Sequence, residues 1–290
     1  MVIANTARLR RDFLPVAPPT ELMAMLTLLL AHRGELIEDW VRTVQRLRRL
    51  MTGICPALER ALNFTSIAVL TLISGYQTPA QIRAAGLDEL IAHLRRHRAL
   101  HTAKVADAAL AAAGQQDATL PGQDTAAGLA ADFATALLAL RRRINETDKA
   151  IAAAFATHPQ AAVIRSLPGM GTLVAAEFAV AVGDLSTFAG PDQLASYAGL
   201  APVPRDSGKR TGNLHRPQRY SRRMRHAFYM AALTTIRFDG PNRDYYQRKR
   251  GEGRRHQQAL IALARRRVNV LWALLRDDRP FQLEPPPKPA

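Results

Sequence analysis

Two apolar stripes, each too long for one short helix to hide, set the terms on which this chain can fold. From Thr20 onward Leu22, Leu26, Leu29, Leu36, Trp40, Val44, Leu47 and Met51 recur at helical spacing, with an interruption at Arg33. That period lines up side chains on one face and predicts a single amphipathic helix ending near Pro56. Gly34 inside it costs about 1 kcal/mol relative to alanine. A second stripe follows the Leu120-Pro121-Gly122 break, where Phe133, Leu137, Leu140, Ile144, Ile151 and Phe155 step by three, four or seven. Helices of ~35 residues each reach about 50 Å. Neither buries its stripe alone, so the expectation is an antiparallel coiled-coil stalk.

Short helices between the two form a helical tip. They are expected over Ser66 to Tyr76, then from Pro79 with Thr78 as cap, then Leu87 to His97 and Ala99 to Ala113. Arg95, Arg96 and Arg98 could touch nucleic acid, but such a trio is more often a solvated helix face. The fold class is therefore mainly α. Its expected parts are a remnant helix and Pro-rich linker at 1–19, the coiled-coil region at 20–159, a helical C-terminal domain at 160–281, and a disordered Pro-rich tail at 282–290.

The C-terminal part opens with IRSLPGMGTLVAAEF, two short apolar segments joined at Pro168-Gly169-Met170-Gly171. This reads as a helix-hairpin-helix. The glycines tolerate positive φ, and Thr172 stands where it could cap the second helix. A helix N-terminus attracts anions, so Gly169, Met170, Gly171 and Thr172 are candidates for a DNA phosphate. The bland alternative is a tight helical turn whose glycines serve packing alone. Further along, a helix from Pro191 to Tyr197 stops at Gly199, and residues 201–217 form a loop or irregular ribbon. Helix resumes near Arg219, with Arg222, Arg223 and Arg225 directed outward, and again over Asn242 to Arg250 and Arg254 to Leu275.

Charge is concentrated in this part. Between Arg205 and His256 stand fifteen Lys or Arg against four acids, most of the net +16 of the whole chain. Arginine outnumbers lysine, which favours forked contacts with phosphate, and nucleic acid is the partner that such a balance suggests. Candidate DNA contacts are Arg205, Lys209, Arg210, Arg216, Arg219, Arg222, Arg223 and Arg225. No apolar run approaches the ~18–20 residues that span a bilayer, so no membrane partner is expected. Cys55 is the only cysteine, which excludes an internal disulfide and fits a reducing cytoplasm. Ser207, in PVPRDSGKR, is the one hydroxyl placed among cations that could steady a phosphodiester under attack. Asp-Ser-Gly is also an ordinary turn sequence.

The segments IRSLPGMGTLVAAEFAVAVGD, LASYAGLAPVPRDSGKRTGN, RYSRRMRHAFYMAAL and QALIALARRRVNVLWALLRD together resemble the C-terminal transposase domain of DEDD-type insertion-sequence transposases related to the Piv/MooV DNA invertases. The likeness covers about residues 161 to 277, and PPTELMAMLTLLLAHRGELIEDW with LISGYQTPAQIRAAG resembles that family's coiled-coil region. The resemblance implies a recombinase that joins mobile DNA to a target and works as a homo-oligomer through the coiled coil. It also implies that a structured RNA can guide target choice, and that a serine, here Ser207, becomes covalently attached to DNA.

The family also carries an N-terminal ribonuclease H-like domain whose four acids hold Mg2+. Asp12, Glu21, Glu35, Glu38, Asp39 and Glu59 do not match that set, and helix-face solvation is their expected role. No cofactor or metal is expected in this chain, which reads as a truncated or mis-started copy. Three functions stay open at this point: a serine-dependent DNA recombinase, a nucleic-acid-binding module without chemistry, and an architectural or repair helix-hairpin-helix protein, which the long stalk makes less natural.

Overall fold

The computed structural model describes residues 18–204, 206, 211–212, 214–215 and 217–282. It is mainly helical, and it divides into two compact units, residues 1–30 with 150–290, and residues 31–149. No helix among the described residues is long and apolar enough to cross a membrane.

The long stripes form helix α1 (Glu21–Ile54) and helix α6 (Gln123–Ala156). Within residues 31–149, Arg33 pairs with Asp148 while the Arg141 guanidinium lies 4.3 Å from the Trp40 ring centroid. Position numbers thus rise on one helix as they fall on the other, and the two run antiparallel there. Leu36, Trp40, Val44, Leu47 and Met51 are buried from α1, and Ala130, Ala134, Leu137 and Ile144 from α6. These residues belong to one apolar cluster. The same unit holds α2 (Pro56–Ala61), α3 (Ile67–Gly75), α4 (Pro79–Arg96) and α5 (Thr102–Ala113). Thr78 caps α4 as expected: its hydroxyl accepts from Gln81 N at 3.2 Å, and Gln81 Oε1 accepts from Thr78 N at 3.1 Å. Gly86, at φ 67°, breaks α4 in the middle.

The other unit is built around α7 (Ala161–Ser166), α8 (Thr172–Val182), α9 (Pro191–Tyr197), α10 (Arg222–Thr235), α11 (Pro241–Gly251) and α12 (His256–Arg276). Leu26, Leu30, Ile151 and Phe155 join its core, so Leu30 rather than Leu29 completes that stripe. The expected loop at 201–217 contains a two-stranded antiparallel ribbon, β1 (Val203–Pro204) and β2 (Leu214–His215), with Val203 opposite His215 and Pro204 opposite Leu214.

Two helix starts differ from expectation. Gly171, not Thr172, is the N-cap of α8, and no side chain caps it; Thr172 is already helical. Helix α10 begins at Arg222 rather than near Arg219, because Ser221 Oγ accepts from Met224 N at 3.2 Å and Ser221 N donates to Tyr197 O at 2.8 Å. The first seventeen residues and most of the expected tail, 283–290, lie outside the described residues.

The turn between α7 and α8 presses directly on α10. Gly169 has φ +82°, and a Cβ there would stand 2.4 Å from Ala231 O. At Gly171 a Cβ would meet nothing within 4 Å. Gly169→Ala should therefore cost about 2–4 kcal/mol through strain and overlap together, and Gly171→Ala less than about 1 kcal/mol, as read by urea denaturation. Equal losses would contradict the packing described.

A second prediction concerns pH. The half-buried His158 ring stacks on Phe155 at 5.6 Å, and its Nδ1 accepts from Gln160 N at 3.2 Å. Burial holds its pKa below the ordinary 6.5. Between the two values the unfolded chain binds more protons than the native one, so the contribution of His158 is fully present above about 6.5 and is lost as pH falls towards the native value. The urea midpoint of His158→Gln is expected to vary less with pH over this window than that of the parent chain.

Candidate nucleic-acid interface

Helix α10 positions the cations. Met224, Ala227, Phe228, Ala231, Ala232 and Thr235 are buried, one apolar stripe at helical spacing. Phe228 meets Phe178 of α8 edge to face at 5.6 Å, and His226 meets Glu177 at 3.2 Å. Because Gly169 packs near Ala231, further down the helix, α8 runs antiparallel to α10. The remaining face carries Arg222, exposed, and Arg223, half-buried, with exposed Arg219 just before the helix.

Arg225 is different. It was expected to point outward, yet it is half-buried: its guanidinium donates to the Gly199 carbonyl and lies 5.4 Å from the Tyr220 ring centroid. Gly199 is at φ +65°, and a Cβ there would come within 2.7 Å of Tyr220. Arg225, Gly199 and Tyr220 thus lock the end of α9 to the start of α10, on either side of the ribbon.

At the foot of the ribbon a cleft of about 810 Å³ opens. Leu200, Ala201 and Pro202 line it where the chain leaves α9, and His215 and Pro217 where it returns. Tyr229 of α10, with Ile261 and Ala262 of α12, adds apolar surface. Among the described residues four cations border it: Arg225, Lys249, Arg254 and Arg265. Lys249 holds Glu252 at 2.7 Å and Arg265 holds Asp192, but both carboxylates are exposed, and such pairs exchange readily with a competing anion. The Lys249 hydrogen bond keeps the Glu252 carboxyl below its ordinary range. Arg254 also acts on Glu252 through its charge. Tyr245 also lines the cleft, and its ring centroid lies 5.1 Å from Arg248, 5.7 Å from Lys249 and 5.1 Å from Arg266. A ring among three like charges offsets part of their repulsion.

The candidates named from sequence do not all come together. Gly169 and Met170 sit at the other end of α10 from its arginines, roughly 13 Å along the axis by helical rise. Met170 is 2% exposed and so faces the core. Gly171 is exposed and Thr172 half-buried. Arg205, Ser207, Lys209, Arg210 and Arg216 lie outside the described residues. In the other unit, Arg96 is held by Glu89 at 2.7 Å on an exposed helix face. Lys249, Arg254, Arg265, Tyr229 and Tyr245 were not singled out in advance. The signal available was the interleaving of aromatic and basic residues in Tyr245-Tyr246-Gln247-Arg248-Lys249-Arg250.

One arginine is buried outright. Arg267, on α12, is 2% exposed and donates to the Pro168 carbonyl, while its Nε has no partner among the described residues. Burial pushes it down to about 10, so it remains charged at neutral pH. Among the described residues no group of three or more His, Cys, Asp or Glu could hold a metal ion.

The two kinds of arginine predict two kinds of outcome. Arg225→Lys cannot keep both the Gly199 and Tyr220 contacts and should lose about 1–3 kcal/mol in denaturant unfolding, whereas Arg222→Ala should change stability by less than about 0.5 kcal/mol. A comparable loss for both would contradict the assignment of Arg225 to the scaffold.

Comparison with known proteins gives these residues a context. Residues 161–247 match the family model described as Transposase IS116/IS110/IS902 family, and residues 1–56 match that of the IS110-type DEDD transposases. The chain is 52% identical over 286 residues to the insertion element IS116 uncharacterized 44.8 kDa protein of Streptomyces clavuligerus, across 98% of this chain and 72% of that one. It is 46% identical over 278 residues to the insertion element IS900 uncharacterized 42 kDa protein of Mycobacterium paratuberculosis, across 95% and 70% respectively. The pilin gene-inverting protein of Moraxella bovis is 30% identical over 127 residues, 42% of this chain and 38% of that one. With half its residues shared with a relative across nearly its whole length, the chain belongs to the IS110/IS116/IS900 family of DEDD-type insertion-sequence transposases, with a weaker kinship to the DNA invertases.

Proposed function

We propose that this chain carries the DNA-joining serine of a transposase, with Ser207 as nucleophile and the surrounding cations as its phosphate grip. The observation that carries this reading is the cleft at the foot of the ribbon, bordered by cations from α10, α11, α12 and the turn before α12. Ser207 follows Pro204 by three residues, a tether of at most about 11 Å from the ribbon. In the reaction Ser207 Oγ attacks a phosphodiester phosphorus and gives up its proton. A Ser–O–P bond forms, the bond from phosphorus to one deoxyribose oxygen breaks, and that oxygen leaves as a hydroxyl. A hydroxyl from a second strand then attacks the phosphoserine, restores Ser207 and conserves the bond energy. The extra negative charge on phosphorus during each step is what Arg205 and Lys209 would neutralise.

Arg219, Arg222 and Arg223 hold the duplex backbone in this reading. The exposed Gly171 and the uncapped first turn of α8, taken as a helix-hairpin-helix, supply a second and separate phosphate contact. The paired α1 and α6 act as the coiled coil through which protomers assemble, a reading supported by apolar Leu28, Val41 and Leu129 left exposed on them. A structured guide RNA would engage the same phosphate chemistry.

The test is a nicked DNA substrate with a labelled element end, denatured after reaction and resolved by gel. A protein–DNA adduct that disappears in Ser207→Ala is expected; retained binding with no adduct from the parent chain points instead to a binding module without chemistry. Arg222→Ala/Arg223→Ala should weaken binding about equally for unrelated sequences, since phosphates carry no base identity. Loss confined to one sequence contradicts the backbone role.

A further inference from the structure

We infer that the cleft receives one unpaired nucleotide of the DNA, with its base laid against Tyr245 and its phosphate among Lys249, Arg254 and Arg265. This rests on the DNA reading above and specifies the form of DNA bound there. The lining is the first reason. A duplex presents charged phosphates along its outside, and a convex basic surface suffices to hold it. The apolar wall of Leu200, Ile261 and Ala262 gains nothing from phosphate. It gains from the face of a base, which is apolar and flat.

Size is the second reason. A volume of about 810 Å³ lies in the range of small-ligand pockets and has room for a nucleotide. The third reason is the order of the groups. Tyr245 stands on α11 one turn from Lys249, and its ring centroid is 5.7 Å from the Lys249 ammonium. A base that takes the place of the Arg248 and Arg266 guanidinium groups, each 5.1 Å from that ring centroid, brings its own phosphate near Lys249, and Arg254 and Arg265 border the same cleft. Lys249 and Arg265 now hold Glu252 and Asp192, two exposed carboxylates that can turn to solvent as phosphate arrives. Gln257, exposed in the first turn of α12, brings an amide with both donors and an acceptor to the cleft, the group suited to a base edge. Stacking on an aromatic ring with cations alongside is how proteins hold unpaired bases of any identity.

The consequence is a preference for DNA that is already open at one position, since a mismatched or unpaired base costs less to take out of the stack. The test uses the full chain and fluorescence anisotropy on two 20-base-pair duplexes that differ only in one central unpaired nucleotide. The parent chain should bind the interrupted duplex about tenfold more tightly than the paired one. Tyr245→Ala should bring that ratio to within about twofold of unity, while Tyr245→Phe, which keeps the ring, should preserve it. Loss of the base site lowers the affinity for the interrupted duplex alone, whereas a general fault in the Tyr245→Ala fold also lowers that for the paired duplex, so the paired duplex reports the fold. Equal affinities in the parent chain, or an unchanged ratio in Tyr245→Ala, overturn the base site while leaving the duplex grip standing. Failure to bind either duplex overturns the DNA reading itself.

Discussion

The backbone of the Pro168–Gly171 turn rests against the backbone of α10, and the arrangement of charge in this unit depends on that contact. A Cβ at Gly169 would overlap Ala231 O and stand 3.0 Å from Thr235 Cγ2, so the turn meets α10 at Ala231 and Thr235. Small residues on both sides bring the elements to a separation that larger ones would forbid. With α8 on that side and α12 packed beneath, α10 has one face left, and its first turn carries the arginines there. The glycines read from sequence as a phosphate site thus have a structural part to play before any ligand is considered, and only Gly171 is left exposed.

Arg267 holds the same turn from below, at a cost. A buried guanidinium gives up its hydration, and the Pro168 carbonyl repays only part of that. Burial accordingly lowers its pKa to about 10. The turn is therefore fixed by two contacts of different character, one a close backbone approach, the other charged and directional. Arg225 does for the ribbon what Arg267 does for the turn: a cation that seemed destined for DNA is used to bind a carbonyl of the protein. Charge density in a sequence counts both kinds together, and only packing separates them.

That limit explains which parts of the fold were legible. Both long helices, the Thr78 cap, the Pro191–Tyr197 helix and the Gly199 stop follow from period, caps and punctuation, which are local. The start of α10 was missed by three residues because Tyr220 belongs to the Gly199 contact and not to the helix, a relation across twenty residues of chain. Arg267 is one of three consecutive arginines, Arg265 to Arg267, set among the apolar residues of α12. Its place in the series Leu260, Leu263, Ala264, Arg267, Val268 and Leu271 puts it on the buried stripe of α12, so its burial was readable from spacing alone. The cleft was not readable, because Lys249, Arg254 and Arg265 converge only when α11 and α12 fold back on α10.

Whether these cations grip phosphate is measured most directly by the salt dependence of duplex affinity for the whole chain. Each phosphate neutralised by Lys or Arg releases condensed counterion, so the slope of log affinity against log salt counts the contacts at about −0.9 each. Four or more contacts from Arg219, Arg222, Arg223 and the cleft rim give a slope of about −3.6 or steeper. A slope near zero contradicts a phosphate grip and leaves these arginines as scaffold alone.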